Sequence, residues 1–212
     1  WATDKTSRRI YSTTAKRYFE LSKQQAPDSL PPIKDGHLSP YDPLFKKHAK
    51  LIGWDWQLIA AIAYQESRFN THLVSWAGAE GLMGIMPNTA KALGITPHEL
   101  REPDTSIRAG VDCLRRFRQG FLSITDEQEK ILFTLAAYNA GIGHVFDARA
   151  LAKKYGKNPD SWSDVSEYIR LKSNPTYYND PVCKHGYLRG SETADYVDEV
   201  MERYHYYKKA SS

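Results

Sequence analysis

The run Trp-Gln-Leu-Ile-Ala-Ala-Ile-Ala-Tyr-Gln-Glu-Ser, residues 56 to 67, constrains this chain more than any other stretch. Its apolar residues recur at helical offsets, and its three alanines and one leucine are strong helix formers, so it predicts a central buried helix. The run ends on an acid. Glu66 shares a face with Ile59, Ile62 and Ala63 at three- and four-residue offsets. It also stands at the negative end of the helix dipole. Both circumstances disfavour the carboxylate and raise its pKa, which suits a group that donates a proton near neutral pH. A Glu after an apolar helix is also, in general, an ordinary solvated helix-end residue, so the rest of the chain has to supply the site.

From Tyr41 onward the pattern is helical almost throughout, and the class expected is all-α. Asp42-Pro43 starts a helix that runs to Gly53, and Asp55 is placed to cap the central one. Pro87 opens a short helix closed by Gly94, and Thr105 begins another with Ile107, Val111, Leu114 and Phe117 on one face. Thr125-Asp-Glu-Gln128 has the form of a capping box. Further helices are expected from His144 to Tyr155 and from about Ser191 to Tyr207. No alternating strand run and no internal repeat is present. Residues 1–40 differ: a polar, basic stretch with few apolar anchors is followed by Pro27, Pro31, Pro32, Gly36 and Pro40. They read as a short amphipathic helix and linker, a lead-in to one domain at 41–212.

Composition excludes little but bounds the rest. With 212 residues the chain can bury one substantial core. Its 29 basic and 25 acidic residues leave a net charge of +4, too evenly mixed to argue for nucleic acid. Fourteen tyrosines and five tryptophans suit a carbohydrate groove and an ordinary core alike. No apolar stretch approaches the ~20 residues that span a bilayer. Cys113 and Cys183 lack metal-ligand spacing, and pairing and free thiols both stay open. His72, His98, His144, His185 and the other histidines also lack ligand spacing and read as surface residues, so no metal and no cofactor is expected.

Between the helices lie segments of unusual composition. Ser75-Trp-Ala-Gly-Ala-Glu-Gly-Leu-Met-Gly-Ile-Met-Pro87 carries glycines 78, 81 and 84, which allow close backbone approach, as a groove wall needs. Ala137-Tyr-Asn-Ala-Gly141 follows at a helix end, and Gly190-Ser-Glu-Thr-Ala-Asp-Tyr196 at a helix start. Read alone, the first of these two is a helix C-cap, and Glu192 with Tyr196 an i,i+4 pair. In order, however, Glu-Ser, Gly-Leu-Met-x-Ile-Met-Pro, Ala-Tyr-Asn-Ala-Gly and Glu-Thr-x-x-Tyr resemble the motifs of the lytic transglycosylases over roughly Pro43 to Tyr207. Ala148 to Trp162 and Gly186 to Gly190 resemble a membrane-bound subgroup of that family, which pairs this domain with an upstream solute-binding-like one.

The resemblance implies a goose-type-lysozyme-like fold and cleavage of peptidoglycan between N-acetylmuramic acid and N-acetylglucosamine. Glu66 would protonate the glycosidic oxygen and then take the proton of the muramoyl C6 hydroxyl, leaving a 1,6-anhydro end without water. The usual second carboxylate is then unnecessary, because the substrate brings its own nucleophile. By the same resemblance Ser67 orients Glu66 or the substrate, and Tyr196 holds Glu66. Tyr138 and Asn139 line the site, and Met83 with the backbone from Gly81 to Ile85 forms a floor for the sugar amides. Many relatives carry Gln where this chain has Gly84, which implies altered subsite contacts. Trp76 is expected as a groove wall. Glu80, if it reached a water, would make the protein a muramidase, one alternative; a catalytically silent peptidoglycan-binding module is the other. The implied setting is a monomer acting on glycan strands in the periplasm, within a longer, outer-membrane-associated protein.

Overall fold

The computed structural model describes residues 37–211. Most of the expected lead-in, residues 1–36, therefore lies outside the described residues. The helices are α1 (Asp42–Ala49), α2 (Trp56–Ser67), α3 (Pro87–Ala92), α4 (Pro103–Gln119), α5 (Glu127–Ala140), α6 (Ile142–Lys154), α7 (Trp162–Leu171), α8 (Pro175–Tyr178) and α9 (Gly190–Ala210), with a 3₁₀ turn at Glu99–Arg101 before α4. Isolated β-bridges join Val74 to Glu80 and Glu80 to Ile85.

Helix α2 is the axis. Every residue from Leu58 to Ala63 is at most 1% exposed, so this helix is apolar all round and buried all round. Helices α1 and α9 pack along it, and α4 to α7 form a chain of neighbouring pairs that returns to α9. Burying an Ile side chain such as Ile59 or Ile62 is worth about 1.5–3 kcal/mol. The longest helix, α9, crosses α7 so closely that a Cβ on Gly190 would stand 1.5 Å from the Ile169 carbonyl oxygen.

Several ends differ from the sequence expectation. Asp55 occupies the N-cap position of α2 but makes no capping bond. Its carboxylate accepts from Tyr204 Oη at 2.6 Å and Lys208 Nζ at 2.7 Å, tying the start of α2 to α9. The cap of α5 is Asp126 rather than Thr125, accepting from the backbone N–H of Gln128 and Glu129. Helices α4, α6 and α9 each begin one or two residues earlier than expected, and α7 and α8 were not anticipated as helices. His48 is not a surface residue: it is buried, with Nε2 2.9 Å from Asp104. Cys113 and Cys183 are both free.

Candidate active site

Helix α2 ends abruptly just past Glu66. Arg68 and Phe69 both take left-handed backbone conformations, φ 52° and 63°, at a cost of about 1–2 kcal/mol each. Packing holds them there. The Phe69 ring stands 5.9 Å from Phe45 and 5.4 Å from Tyr64, and Arg68 donates to Tyr64 Oη. The reversal sends the chain into the glycine-rich loop that faces Glu66. Neither residue carries a sequence signal for this, since left-handed Arg and Phe follow only from their contacts.

The loop is fixed to the core at successive residues. Gly81 passes so close to the turn before α4 that a Cβ would lie 2.2 Å from the Leu100 carbonyl oxygen. Leu82 and Met83 are fully buried. Ser67 Oγ donates to the Leu82 carbonyl at 2.9 Å, Met83 N–H donates to Ser106 Oγ at 3.2 Å, and Tyr138 Oη donates to the Met83 carbonyl at 2.6 Å. Ser106, on α4, is wholly buried and was not singled out in the sequence.

Glu66 stands over this loop, half-buried, with its carboxyl enclosed by protein. Its Oε1 accepts from Tyr196 Oη on α9 at 2.7 Å. Burial pushes the Glu66 pKa up from 4.5 to about 7, and the Tyr196 hydrogen bond, which favours the charged form, only partly opposes it. The phenols of Tyr138 and Tyr196 are pushed up, first by burial and then by the nearby Glu66 charge. Both therefore remain hydroxyl donors at neutral pH. The site pairs an acid that is protonated for much of its time near pH 7 with a fixed donor that can stabilise its carboxylate.

The structure brings Glu66, Gly84, Tyr138 and Tyr196 together and sorts the remaining candidates. Asn139 is exposed at the end of α5, next to Gly141, whose φ of 88° turns the chain directly into α6. Trp76 projects from the loop tip at 73% exposure. Ser67 is buried and bonded to the Ala63 and Leu82 carbonyls, so it positions the loop rather than facing the groove. The Met83 side chain is likewise not a floor. It packs against Gly110 of α4, where a Cβ would come within 2.6 Å of its Cε, and its backbone carbonyl accepts from Tyr138. Glu80 lies 3.7 Å from Arg101, and no hydrogen bond or ion pair joins it to Glu66 among the described residues. Gly84 faces Glu66 with φ 59°.

Residues 43–161, more than half the chain, match the Transglycosylase SLT domain family. The chain is 40% identical over 167 residues to a membrane-bound lytic murein transglycosylase F of Aeromonas hydrophila, covering 79% of this chain and 32% of that protein. It is 44% identical over 166 residues to one of Yersinia enterocolitica, covering 78% and 33%. The chain thus spans about a third of the length of these relatives. Among solved structures, it is similar to the 70 kDa soluble lytic transglycosylase of Escherichia coli, with TM-score 0.57, 30% identity, and coverage of 80% of this chain and 24% of that one. A complex of the 70-kDa soluble lytic transglycosylase with bulgecin A matches with TM-score 0.56 and 28% identity, over 80% of this chain and 24% of that one. The helical arrangement is the lysozyme-like fold of these enzymes. On the motifs, the fold and these matches together, the chain belongs to the transglycosylase SLT domain family.

Proposed function

We propose that this chain is the catalytic domain of a peptidoglycan lytic transglycosylase, with Glu66 as both acid and base. The observation that carries the reading is a lone enclosed carboxyl whose pKa is raised to about 7 while Tyr196 donates to it. Protonated Glu66 gives its proton to the glycosidic oxygen between N-acetylmuramic acid and N-acetylglucosamine, and the C1–O bond breaks. The C6 hydroxyl oxygen of the same muramoyl residue bonds to C1, and its proton passes to the Glu66 carboxylate. One bond has replaced another, the acid is restored, and no water is consumed. Such a reaction needs one carboxyl at the right proton affinity, where a hydrolase needs a second group to direct water.

Position supports the remaining roles. Tyr196 fixes the carboxyl and stabilises its charged state. Tyr138 holds the loop at the Met83 carbonyl, and the exposed Asn139 amide contacts the glycan. Trp76 forms an outer wall, and Ser67 and Met83 act through the loop they anchor. The ion contact of Glu80 with Arg101 weighs against a muramidase reading. Relatives named membrane-bound lytic murein transglycosylases support action in the cell envelope. Among the described residues no helix is long and apolar enough to cross a membrane.

Mass spectrometry of digested sacculi tests the reaction. Anhydromuropeptides, lighter than the hydrolytic products by one water, are expected as the products; only reducing ends would sink the proposal. Glu66→Gln should lower product release by about 10²–10⁴-fold with the helical circular dichroism unchanged.

A further inference from the structure

The Gly84 backbone stands against the Glu66 carboxyl in a way that the proposed reaction alone does not explain. A Cβ built on Gly84 would lie 2.4 Å from Glu66 Oε2, 3.2 Å from its Cδ and 3.3 Å from its Cβ. Carbon and oxygen at 2.4 Å overlap by about 1 Å relative to ordinary van der Waals contact. One side has to yield. The loop cannot do so cheaply, because residues 81–83 are held against Leu100, Ser67, Ser106 and Tyr138. The carboxyl is the free end of a flexible side chain and can.

We propose that Gly84 is a positioning residue: the side chain it lacks is the space that the Glu66 carboxyl occupies, and any side chain there forces the carboxyl out of the pose in which Tyr196 holds it. This rests on the reading of Glu66 as the catalytic acid. A movement of about 1 Å along its line takes the 2.7 Å Tyr196 bond beyond hydrogen-bonding range, and one across it spoils its angle. The ionisable groups facing the carboxyl are Tyr196 from α9 and Tyr138 from α5, with Cys113 of α4 behind Tyr138, and none of them is cationic. Enclosure and the Tyr196 bond, not a neighbouring charge, therefore set the proton affinity of the acid, and displacement changes both.

The test is a titration of Glu66 in protein carrying ¹³C-carboxyl glutamate, the signal being assigned by its loss in Glu66→Gln. Gly84→Ala and Gly84→Asn both add a Cβ, and Asn accepts left-handed backbone at little cost. Each should shift the Glu66 pKa by at least about one unit and move the alkaline limb of kcat/KM by as much. Gly53→Asn is the control, since Gly53 is also left-handed (φ 73°) but has nothing within 4 Å of its Cβ position. It should leave the titration where it was. An unchanged Glu66 titration in folded Gly84 variants overturns the proposal.

Should either variant fold poorly, melting temperatures supply a second readout. The loss caused by Gly84→Ala should shrink in a Glu66→Ala background, because the clashing group is gone, and an undiminished loss also refutes the niche. A wild-type protein that yields no anhydromuropeptides would sink the reaction and leave the titration standing.

Discussion

At Tyr196 two effects on one carboxyl oppose each other. Burial raises the proton affinity of Glu66, while the 2.7 Å hydrogen bond from Tyr196 stabilises the carboxylate and lowers it. Burial wins, and the pKa settles at about 7. Tyr196→Phe removes only the opposing effect. The alkaline limb of kcat/KM should therefore move to higher pH, with the plateau falling by about tenfold as the carboxyl loses its orientation. A pH profile of the variant that stays put or moves to lower pH would contradict this assignment. The meeting of Glu66 with Tyr196 was legible in the motifs because each presents its own functional group. Ser67 was misread for a geometric reason: one residue beyond Glu66 on a helix is about 100° further round, and that direction is the core. The Met83 side chain was misread as part of the floor because it packs inward against Gly110, while its backbone carbonyl accepts from Tyr138.

Among elements, the segment between α8 and α9 depends on one buried ion pair. Lys172 Nζ and Asp147 Oδ2 are 2.6 Å apart, with side chains at 0% and 3% exposure. Asp147 also accepts from the backbone N–H of Lys184 and His185, so it joins α6, the end of α7 and the chain leading to Gly190. Burial alone would raise its pKa; the hydrogen bonds from Lys172, Lys184 and His185 outweigh it and bring the pKa down to about 2. Its stabilising contribution is therefore present above about pH 4 and is lost as pH falls towards 2. Asp147→Ala leaves Lys172 charged and buried, and should cost about 3–5 kcal/mol in urea unfolding at neutral pH. A cost under about 1 kcal/mol would mean that the pair is not holding these elements. Helix α7 was illegible for a related reason. Ser161 holds its N-cap position without a side-chain capping bond, and the first turn is instead satisfied from outside, by Trp162 N–H donating to Glu129 Oε2 at 2.6 Å.

Across the whole molecule the acid has a cost in stability. A carboxyl whose pKa is about 7 when folded and near 4.5 when unfolded adds nothing unfavourable below pH 4.5. Between those values the unfolded chain releases its proton first, and folding weakens as pH rises, until about pH 7. The full effect is about 3 kcal/mol at most, by linkage. Glu66→Gln should thus be more stable than the native protein at pH 8, and equal to it within error at pH 4. Denaturant titrations at the two pH values measure the difference directly. Equal stability at both would mean that the carboxyl is better solvated than its surroundings indicate.

The sequence by itself determined the all-α class, the buried central helix, the position of the acid at its end and the order of the groove motifs. These follow from local periodicity and from residue types that carry their own chemistry. Only the tertiary structure decided the geometry in which other groups meet Glu66. Tyr196 reaches it from 130 residues away. The left-handed turn at Arg68 and Phe69 folds the glycine-rich loop back over it, and the missing Gly84 side chain leaves it room. Those are contacts between distant segments, and the free energy that fixes them comes from packing, which no local pattern encodes.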